Sequence, residues 1–200
     1  MAVTAKSRLP AAERRSALVE CACRVFSRGN YHRTTTAELA RAAGVTEPIL
    51  YRHFASKREL YLACVEESWT RIREMWAEAV EREPDPGRWV MAMGRAYLES
   101  NSQRQLNSSL WLQAFAEAGE DKVIARYLRK HMREVHAFVA DVVRRAQAAG
   151  GIPADRDAEA EAWIFLALGL LSMADRSLGG VMDEAWPAIR ESRLRWLTGD

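Results

Sequence analysis

Apolar residues recur at helical spacing along the whole chain. Between residues 10 and 28, one such face contains Leu18, Cys21, Ala22, Val25 and Phe26. No segment shows the sustained alternation of apolar and polar residues that is typical of a half-buried strand. The pattern therefore predicts an all-α protein.

Helix starts and stops are marked by capping residues, glycines and prolines. Thr35 and Glu38 have the spacing of a capping box, and so do Ser56 and Glu59. The sequence Glu83-Pro84-Asp85-Pro86-Gly87 interrupts the helical pattern. We expect nine or ten helices, near residues 10–28, 35–43, 46–53, 56–82, 87–101, 104–118, 121–149, 155–177 and 183–197.

The two short helices joined by Ala43-Gly44-Val45 have the spacing of a helix-turn-helix. Leu39 and Leu50 face inward in this arrangement, and Gly44 supplies a turn conformation that other residues resist. Helical hairpins with a glycine turn are common, so the pattern is not specific by itself. The charge of the segment that contains the pattern makes the pattern more informative.

Charge is distributed unevenly although the whole chain has a formal charge of only +2. Residues 1–58 contain eleven lysines and arginines and four glutamates, a net charge of +7. Residues 59–200 contain 18 basic and 23 acidic residues, a net charge of −5. A basic head that coincides with a helix-turn-helix indicates that the head binds a polyanion.

Composition and the apolar runs indicate a folded protein of the reduced cytoplasm. Apolar residues make up 48% of the chain and charged residues 28%. Residues 1–10 lack the apolar core of a secretion signal. The longest apolar run, residues 162–171, is about half as long as a membrane-spanning helix. Three cysteines are too few for a disulfide framework. We expect a cytoplasmic location and no membrane partner.

Motifs of enzymes are missing from the sequence. There is no glycine-rich phosphate loop, no G-x-S-x-G and no H-E-x-x-H. His131 and His136 are five residues apart, which does not place them on one face as metal ligands. We expect no enzymatic activity, no metal site and no cofactor.

Several short motifs in the basic head agree in register with one known family. They are Thr34-Thr35, Glu38-Leu39-Ala40, Ala42-Ala43-Gly44-Val45-Thr46, Leu50-Tyr51, Phe54, Lys57 and Leu60. Together they resemble the DNA-binding head of the TetR family of bacterial transcriptional regulators, over about residues 16–64. The resemblance implies a three-helix DNA-binding domain at 1–58 and a larger helical domain at 59–200 for ligand binding and dimerisation.

The resemblance also implies which residues of the head contact DNA. A recognition helix would place Thr46, Glu47, Pro48, Ile49, Arg52 and His53 at the major groove. Tyr51, Lys57 and Thr35 would lie near phosphates. The family often has Lys-Gly where this chain has Glu47-Pro48. Glu47 therefore either accepts from a cytosine amino group or points into solvent as a favourable charge on the helix dipole. Tyr51 either contacts a phosphate or packs in the core.

In the body, the resemblance implies a homodimer formed by the helices at 121–149 and 155–177. We expect the dimer interface to include Val135, Phe138, Val142, Ala162, Leu166, Gly169 and Met173. A pocket for a small effector would be lined by Trp69, Trp89, Met93, Tyr97, Trp111, Phe115 and Phe165. Each of these aromatic residues has core packing as the alternative.

These features together predict a sequence-specific transcriptional regulator. We expect a repressor that binds a palindromic operator in double-stranded DNA as a homodimer and is released by a small apolar or aromatic effector. The alternative is a helical adaptor that binds protein through the same head and has no role on DNA. A steep loss of duplex binding with salt separates the two functions.

Overall fold

A computed structural model describes residues 10–102 and 108–199, except for the side chains of 101, 102, 108 and 109. Within these ranges the regular elements are helices, which confirms the all-α prediction. They are α1 (Ala11–Arg28), α2 (Thr36–Ala42), α3 (Glu47–His53), α4 (Lys57–Arg82), a 3-10 turn (Pro86–Arg88), α5 (Trp89–Ser102), α6 (Ser108–Glu117), α7 (Lys122–Ala148), α8 (Ala158–Ser177) and α9 (Trp186–Thr198). The helix start expected at residue 104 lies outside the described residues.

The chain divides into two compact units, Met1–Glu67 and Ser68–Asp200. The division falls inside α4, nine residues after the boundary that the charge pattern suggests. Tyr61, Cys64 and Val65 of α4 are fully buried, and Cys64 donates a weak hydrogen bond to the carbonyl of Val19 in α1. The first turns of α4 therefore belong to the core of the first unit, which we call the head. We call the second unit the body.

Aromatic rings fill the centre of the head. Phe26 of α1 and Tyr61 of α4 are fully buried and meet edge to face at 5.1 Å between ring centroids. Leu39 of α2 and Leu50 of α3 are 2% and 3% exposed. These side chains fix both helices of the helix-turn-helix to a common core, so the surface that α3 presents is set by packing.

The local signals at the helix ends of the head are present as expected. The Thr35 hydroxyl accepts from the backbone N–H of Glu38, and the Glu38 carboxylate accepts from the backbone N–H of Thr35. The bond from the Thr35 N–H holds the pKa of Glu38 below its usual value. Gly44 has a φ of 67°, in the left-handed region that glycine adopts without strain. These features confirm the predicted capping box and turn.

The body is built around the packing of α7 against α8. Asp121 caps α7 and Asp157 caps α8, each through its carboxylate and two backbone N–H groups. Glu161 of α8 is 6% exposed and accepts from the guanidinium of Arg193 and from the indole of Trp196 at 2.7 Å. A buried carboxylate with two donors on α9 attaches the last helix to α8.

A close approach between two backbone segments closes the far end of the body. Gly151, in the turn after α7, lies against the 3-10 turn. A Cβ added at Gly151 would lie 2.5 Å from the carbonyl carbon of Pro86 and even closer to the backbone nitrogen of Gly87. A Cβ at Gly87 would lie 2.7 Å from the carbonyl oxygen of Gly151. Two glycines are therefore needed where the segments cross.

The three cysteines are buried in the head and form no disulfide. The side chain of Cys23 and burial together raise the pKa of the Cys64 thiol, which keeps it protonated. These residues therefore act as small apolar side chains. In the described part of the chain, no helix is both long and apolar enough to cross a membrane.

Candidate nucleic-acid interface and ligand cavity

The recognition helix predicted from the sequence is α3, and several of its side chains are exposed. Thr46, Pro48 and Arg52 are exposed, and Tyr51 is 48% exposed. Thr46 is the N-cap residue, but its side chain makes no capping hydrogen bond. Its hydroxyl is therefore not committed to the helix. Leu50 is the one buried residue of α3, so the helix packs on the head by one face and exposes the other to solvent.

The remaining residues of the predicted DNA-binding set have mixed environments. Thr35 is exposed, although its hydroxyl is used in the capping box. Glu47, Ile49 and His53 are half-buried. None of these positions is enclosed by the core of the head, so each has at least one side open to a partner.

A polar contact joins the two helices of the helix-turn-helix. The Thr36 hydroxyl of α2 donates to the Glu47 carboxylate of α3 at 2.5 Å, and the Tyr51 hydroxyl lies 3.4 Å from Thr36 Oγ1. The Glu47 carboxylate is therefore directed back to α2, which is a geometry that neither sequence interpretation of Glu47 included. Tyr51 lies on the surface and not in the core. Thr36 has no distinct signal in the sequence, because it only follows the capping Thr35.

The Lys57 ammonium is occupied by the backbone of the head. It donates to the carbonyl oxygens of Tyr31 at 2.8 Å and Thr34 at 3.1 Å, and lies 3.5 Å from that of His32. It also lies 4.5 Å from the centroid of the Tyr31 ring. An ammonium has three donors, and three carbonyls face them. Lys57 is therefore placed to hold the segment before α2, and not as a free phosphate contact.

We expect Lys57→Met to lower the free energy of unfolding of the head by about 1–2 kcal/mol, because carbonyls of the segment before α2 lose a charged donor. Urea denaturation of the full chain, followed by the signal of the head, measures this loss. Arg33→Met is the matched control, since Arg33 is exposed in the same segment. The opposite result would be an unchanged stability and DNA binding that releases about one counterion fewer. In that case Lys57 contacts a phosphate.

The body contains an apolar cavity of about 150 Å³. Aromatic side chains from α4, α6, α8 and α9 contribute to its wall, including Trp69, Trp76, Trp111, Phe115, Phe165 and Trp186. The arginines at the wall are Arg95, Arg190 and Arg193, and no acidic side chain of the described residues lines it. A cavity of this kind suits a small apolar ligand with few polar groups.

Five of the seven aromatic or apolar residues expected in a pocket lie at this wall. They are Trp69, Tyr97, Trp111, Phe115 and Phe165. Met93 is fully buried away from the cavity. Trp89 packs against a separate cluster that includes Val143 and Ile152, and its indole donates to the carbonyl of Glu83 at 2.9 Å. Met93 and Trp89 therefore do not line this cavity.

Four of the seven residues expected at the dimer interface are buried within their own chain, and the other three are half-buried. Val135, Val142, Ala162 and Leu166 are between 0% and 8% exposed. Gly169 and Met173 line the cavity, and Phe138 is half-buried against the rings of Trp69 and Trp76. A second chain has no access to side chains that are buried in this way. The prediction that Val135, Val142, Ala162 and Leu166 lie at the dimer interface is therefore wrong.

The opposite face of α8 is apolar and exposed. It carries Ala160, Trp163, Ile164, Ala167 and Leu171, which follow the spacing of one helical stripe. Trp163 is 48% exposed, Ile164 37% and Leu171 41%. The ring of Trp163 stacks on that of His136 in α7 at 4.2 Å. We call these five residues the α8 stripe.

A three-helix head with an exposed second helix of a helix-turn-helix, followed by a larger helical body with an apolar cavity, defines a class of proteins: the helix-turn-helix regulators that bind DNA. Two family models match the chain. One is described as bacterial regulatory proteins of the tetR family and matches residues 18–64, and the other as the C-terminal domain of BetI-type transcriptional repressors and matches residues 86–170.

Curated relatives are similar to parts of the chain. The transcriptional activator FasR of Mycolicibacterium smegmatis is 48% identical over 60 residues, which are 30% of this chain and 27% of FasR. The transcriptional regulator BetI of Rhizobium meliloti is 27% identical over 124 residues, 62% of this chain and 61% of BetI. The chain thus spans about a quarter of the first relative and about three fifths of the second.

Solved structures share the fold over nearly the whole chain. A TetR-family chain from Rhodococcus sp. has a TM-score of 0.81 at 19% identity and covers 94% of this chain and 99% of its own. A chain from Saccharomonospora viridis, solved in complex with choline, has a TM-score of 0.72 at 20% identity and covers 85% of this chain and 88% of its own. The chain belongs to the TetR family of bacterial transcriptional regulators.

Proposed function

We propose that the protein is a repressor that binds a palindromic operator as a homodimer and is released by a small apolar effector. The observation that carries the proposal is the exposed face of α3, where Thr46, Pro48, Tyr51 and Arg52 lie beside one another on a helix anchored by Leu50. The match of the body to BetI-type repressors supports repression. FasR, whose similarity to this chain covers 60 residues, is named an activator. Similarity of the head therefore does not distinguish repression from activation.

The exposed residues of α3 divide by chemistry into base readers and phosphate contacts. Arg52 is the residue best suited to reading guanine through two hydrogen bonds in the major groove. Thr46 and Pro48, at the N-terminal end of α3, are placed to contact base edges and thymine methyl groups. The Tyr51 hydroxyl donates to Thr36 Oγ1 in the structure, so its proton would have to turn from Thr36 to a phosphate when DNA binds. Glu47 positions α3 through Thr36.

Dimerisation is proposed through the α8 stripe together with the neighbouring side of α7. A head of this size reads only a few base pairs, so two heads on one operator are needed for affinity and specificity. The α8 stripe is a contiguous apolar surface on a helix whose other face is already buried. A contiguous exposed apolar surface of this kind supports the proposal that a second chain covers it.

Effector binding is proposed in the cavity of the body. Trp69 and Trp76 of α4 line the cavity, and the same helix begins in the head at Lys57. A ligand that contacts these rings has direct access to the helix that enters the head. A differential affinity for two positions of α4 would shift the population between a DNA-bound and a released form.

Selection of bound duplexes from a random pool tests the proposal with the wild-type chain and with Arg52→Ala. We expect the wild type to recover a palindrome and to lose affinity steeply with salt. We expect Arg52→Ala to lose preference at one base pair of each half-site, by roughly tenfold, because one bidentate contact is removed. Arg33→Ala, in which an exposed arginine outside α3 is removed, is the control and should retain the wild-type preference.

Two outcomes contradict parts of this proposal. If Arg52→Ala binds all duplexes more weakly but with an unchanged preference, Arg52 contacts phosphate and not bases. If no duplex is enriched at low salt, the chain is not a sequence-specific regulator and the protein adaptor is the better function.

A further inference from the structure

The charges at the wall of the body cavity are unbalanced. Of the three arginines there, Arg95 pairs with Glu83 at 3.4 Å and Arg193 pairs with the buried Glu161. Arg190 precedes Arg193 by three residues on α9, is half-buried, and has no ion-pair or hydrogen-bond partner among the residues that the structure describes. Of the three positive charges at the wall, that of Arg190 therefore has no acceptor within the described ranges.

A second donor at the wall is also unmatched. Trp76 is 6% exposed and lines the cavity, and its indole Nε1 has no acceptor among the described residues. A buried N–H without an acceptor is costly, so a ligand that supplies an oxygen there gains affinity. Both unmatched groups are donors. A ligand that brings acceptors to these two groups therefore complements the cavity.

The size and composition of the cavity restrict the rest of the ligand. Its volume of about 150 Å³ is the size of a cavity that holds a benzene ring. Indole and phenyl side chains surround it, including Trp69, Trp111 and Phe165. A compact aromatic or branched acyl group fits this space, with its polar group directed to α9.

We infer that the effector is a small apolar monocarboxylate whose carboxylate pairs with Arg190 and whose apolar group fills the cavity. The inference rests on the proposed effector role of the cavity and adds the chemical class of the ligand. A guanidinium forms two parallel hydrogen bonds to a carboxylate, which gives affinity and a fixed orientation. A quaternary ammonium such as choline, which is bound by the similar chain from Saccharomonospora viridis, would meet the unbalanced charge of Arg190 and lack a carboxylate to pair with it.

The test compares three probes on the full chain by calorimetry and by tryptophan emission. The probes are 3-phenylpropionate, its neutral analogue 3-phenylpropanamide, and choline. We expect 3-phenylpropionate to bind at least tenfold more tightly than the amide, and choline to bind more weakly than both. Emission should change on binding because several tryptophans line the cavity.

Variants on α9 show whether Arg190 carries this preference. Arg190→Gln should bind the carboxylate and the amide with equal affinity, because the charge is lost while the apolar wall is kept. Arg195→Gln is the matched control on the same helix, since Arg195 is exposed and pairs with Glu191 at 2.7 Å. This control should keep the tenfold preference.

The outcomes separate this inference from the proposed function. Equal binding of carboxylate and amide by the wild type, tighter binding of choline, or no binding of any probe overturns the carboxylate inference. Selection of an operator by the same preparation shows whether DNA binding stands independently. If the wild type prefers the carboxylate but selects no operator, the inferred ligand class stands and the proposed regulator function is refuted.

Discussion

Replacing Ile164 and Leu171 with glutamate is expected to convert the dimer into a monomer and to reduce operator affinity at least about 100-fold. Both residues lie on the α8 stripe, are more than a third exposed, and are seven positions apart on one helical face. In a symmetric dimer each substitution occurs on both chains, so four carboxylates would enter one apolar interface. Like charges in such an interface cost several kcal/mol, and each 1.4 kcal/mol is a factor of about ten.

Light scattering measures the mass of the variant, and a gel-shift titration measures its affinity for the selected operator. The matched control is Ala77→Glu together with Ala116→Glu, which adds the same charge at exposed positions of α4 and α6. The control should remain dimeric and bind DNA as the wild type does. A double variant that stays dimeric would show that the α8 stripe is not the interface, and a monomeric wild type would refute the dimer itself.

Gly151→Ala should produce the largest loss of stability in the body, about 2–3 kcal/mol. The added methyl would overlap the backbone of the 3-10 turn at Pro86 and Gly87, which is not the movable end of a flexible side chain. The two segments would have to separate, and the cluster of Val90, Ile152 and Leu197 beside them would lose packing. In a chain of this length the loss corresponds to roughly 4–12 °C in melting temperature.

Calorimetry or circular dichroism during heating measures this shift. Gly169→Ala is the control, because it lies within α8 and a Cβ there meets nothing within 4 Å. Alanine is the better helix former, so this control should unfold at the same temperature as the wild type or slightly higher. If both variants have the same melting temperature, the close approach of Gly87 and Gly151 does not limit the stability of the body.

Much of the head could be predicted because its signals are local. The capping box of Thr35 and Glu38 and the turn at Gly44 each involve neighbours within a few residues, and all are present in the structure. The Lys57 contacts were not predictable in the same way. They join an ammonium to carbonyls 23 to 26 residues earlier, and no periodic pattern encodes which acceptors a lysine will reach.

The cavity and the α8 stripe show the same limit. Sequence composition indicated an aromatic-lined pocket, and five of the expected residues do line the cavity. Arg190 gave no separate signal, because one arginine among many on amphipathic helices has no distinguishing neighbours. Its importance follows from Glu83 and Glu161, which neutralise the two other arginines, whereas Arg190 has no partner in the described part of the chain.

The sequence by itself determined the helical content, the places where most helices begin and end, and the basic head that contains the helix-turn-helix. These properties depend on spacing and charge within short windows, which the chain carries before it folds. Only the tertiary structure decided which side of α8 is buried. That helix is apolar around its circumference from residue 162 to residue 171, so its sequence pattern does not indicate which face is buried. Packing against α7 selects the inward face.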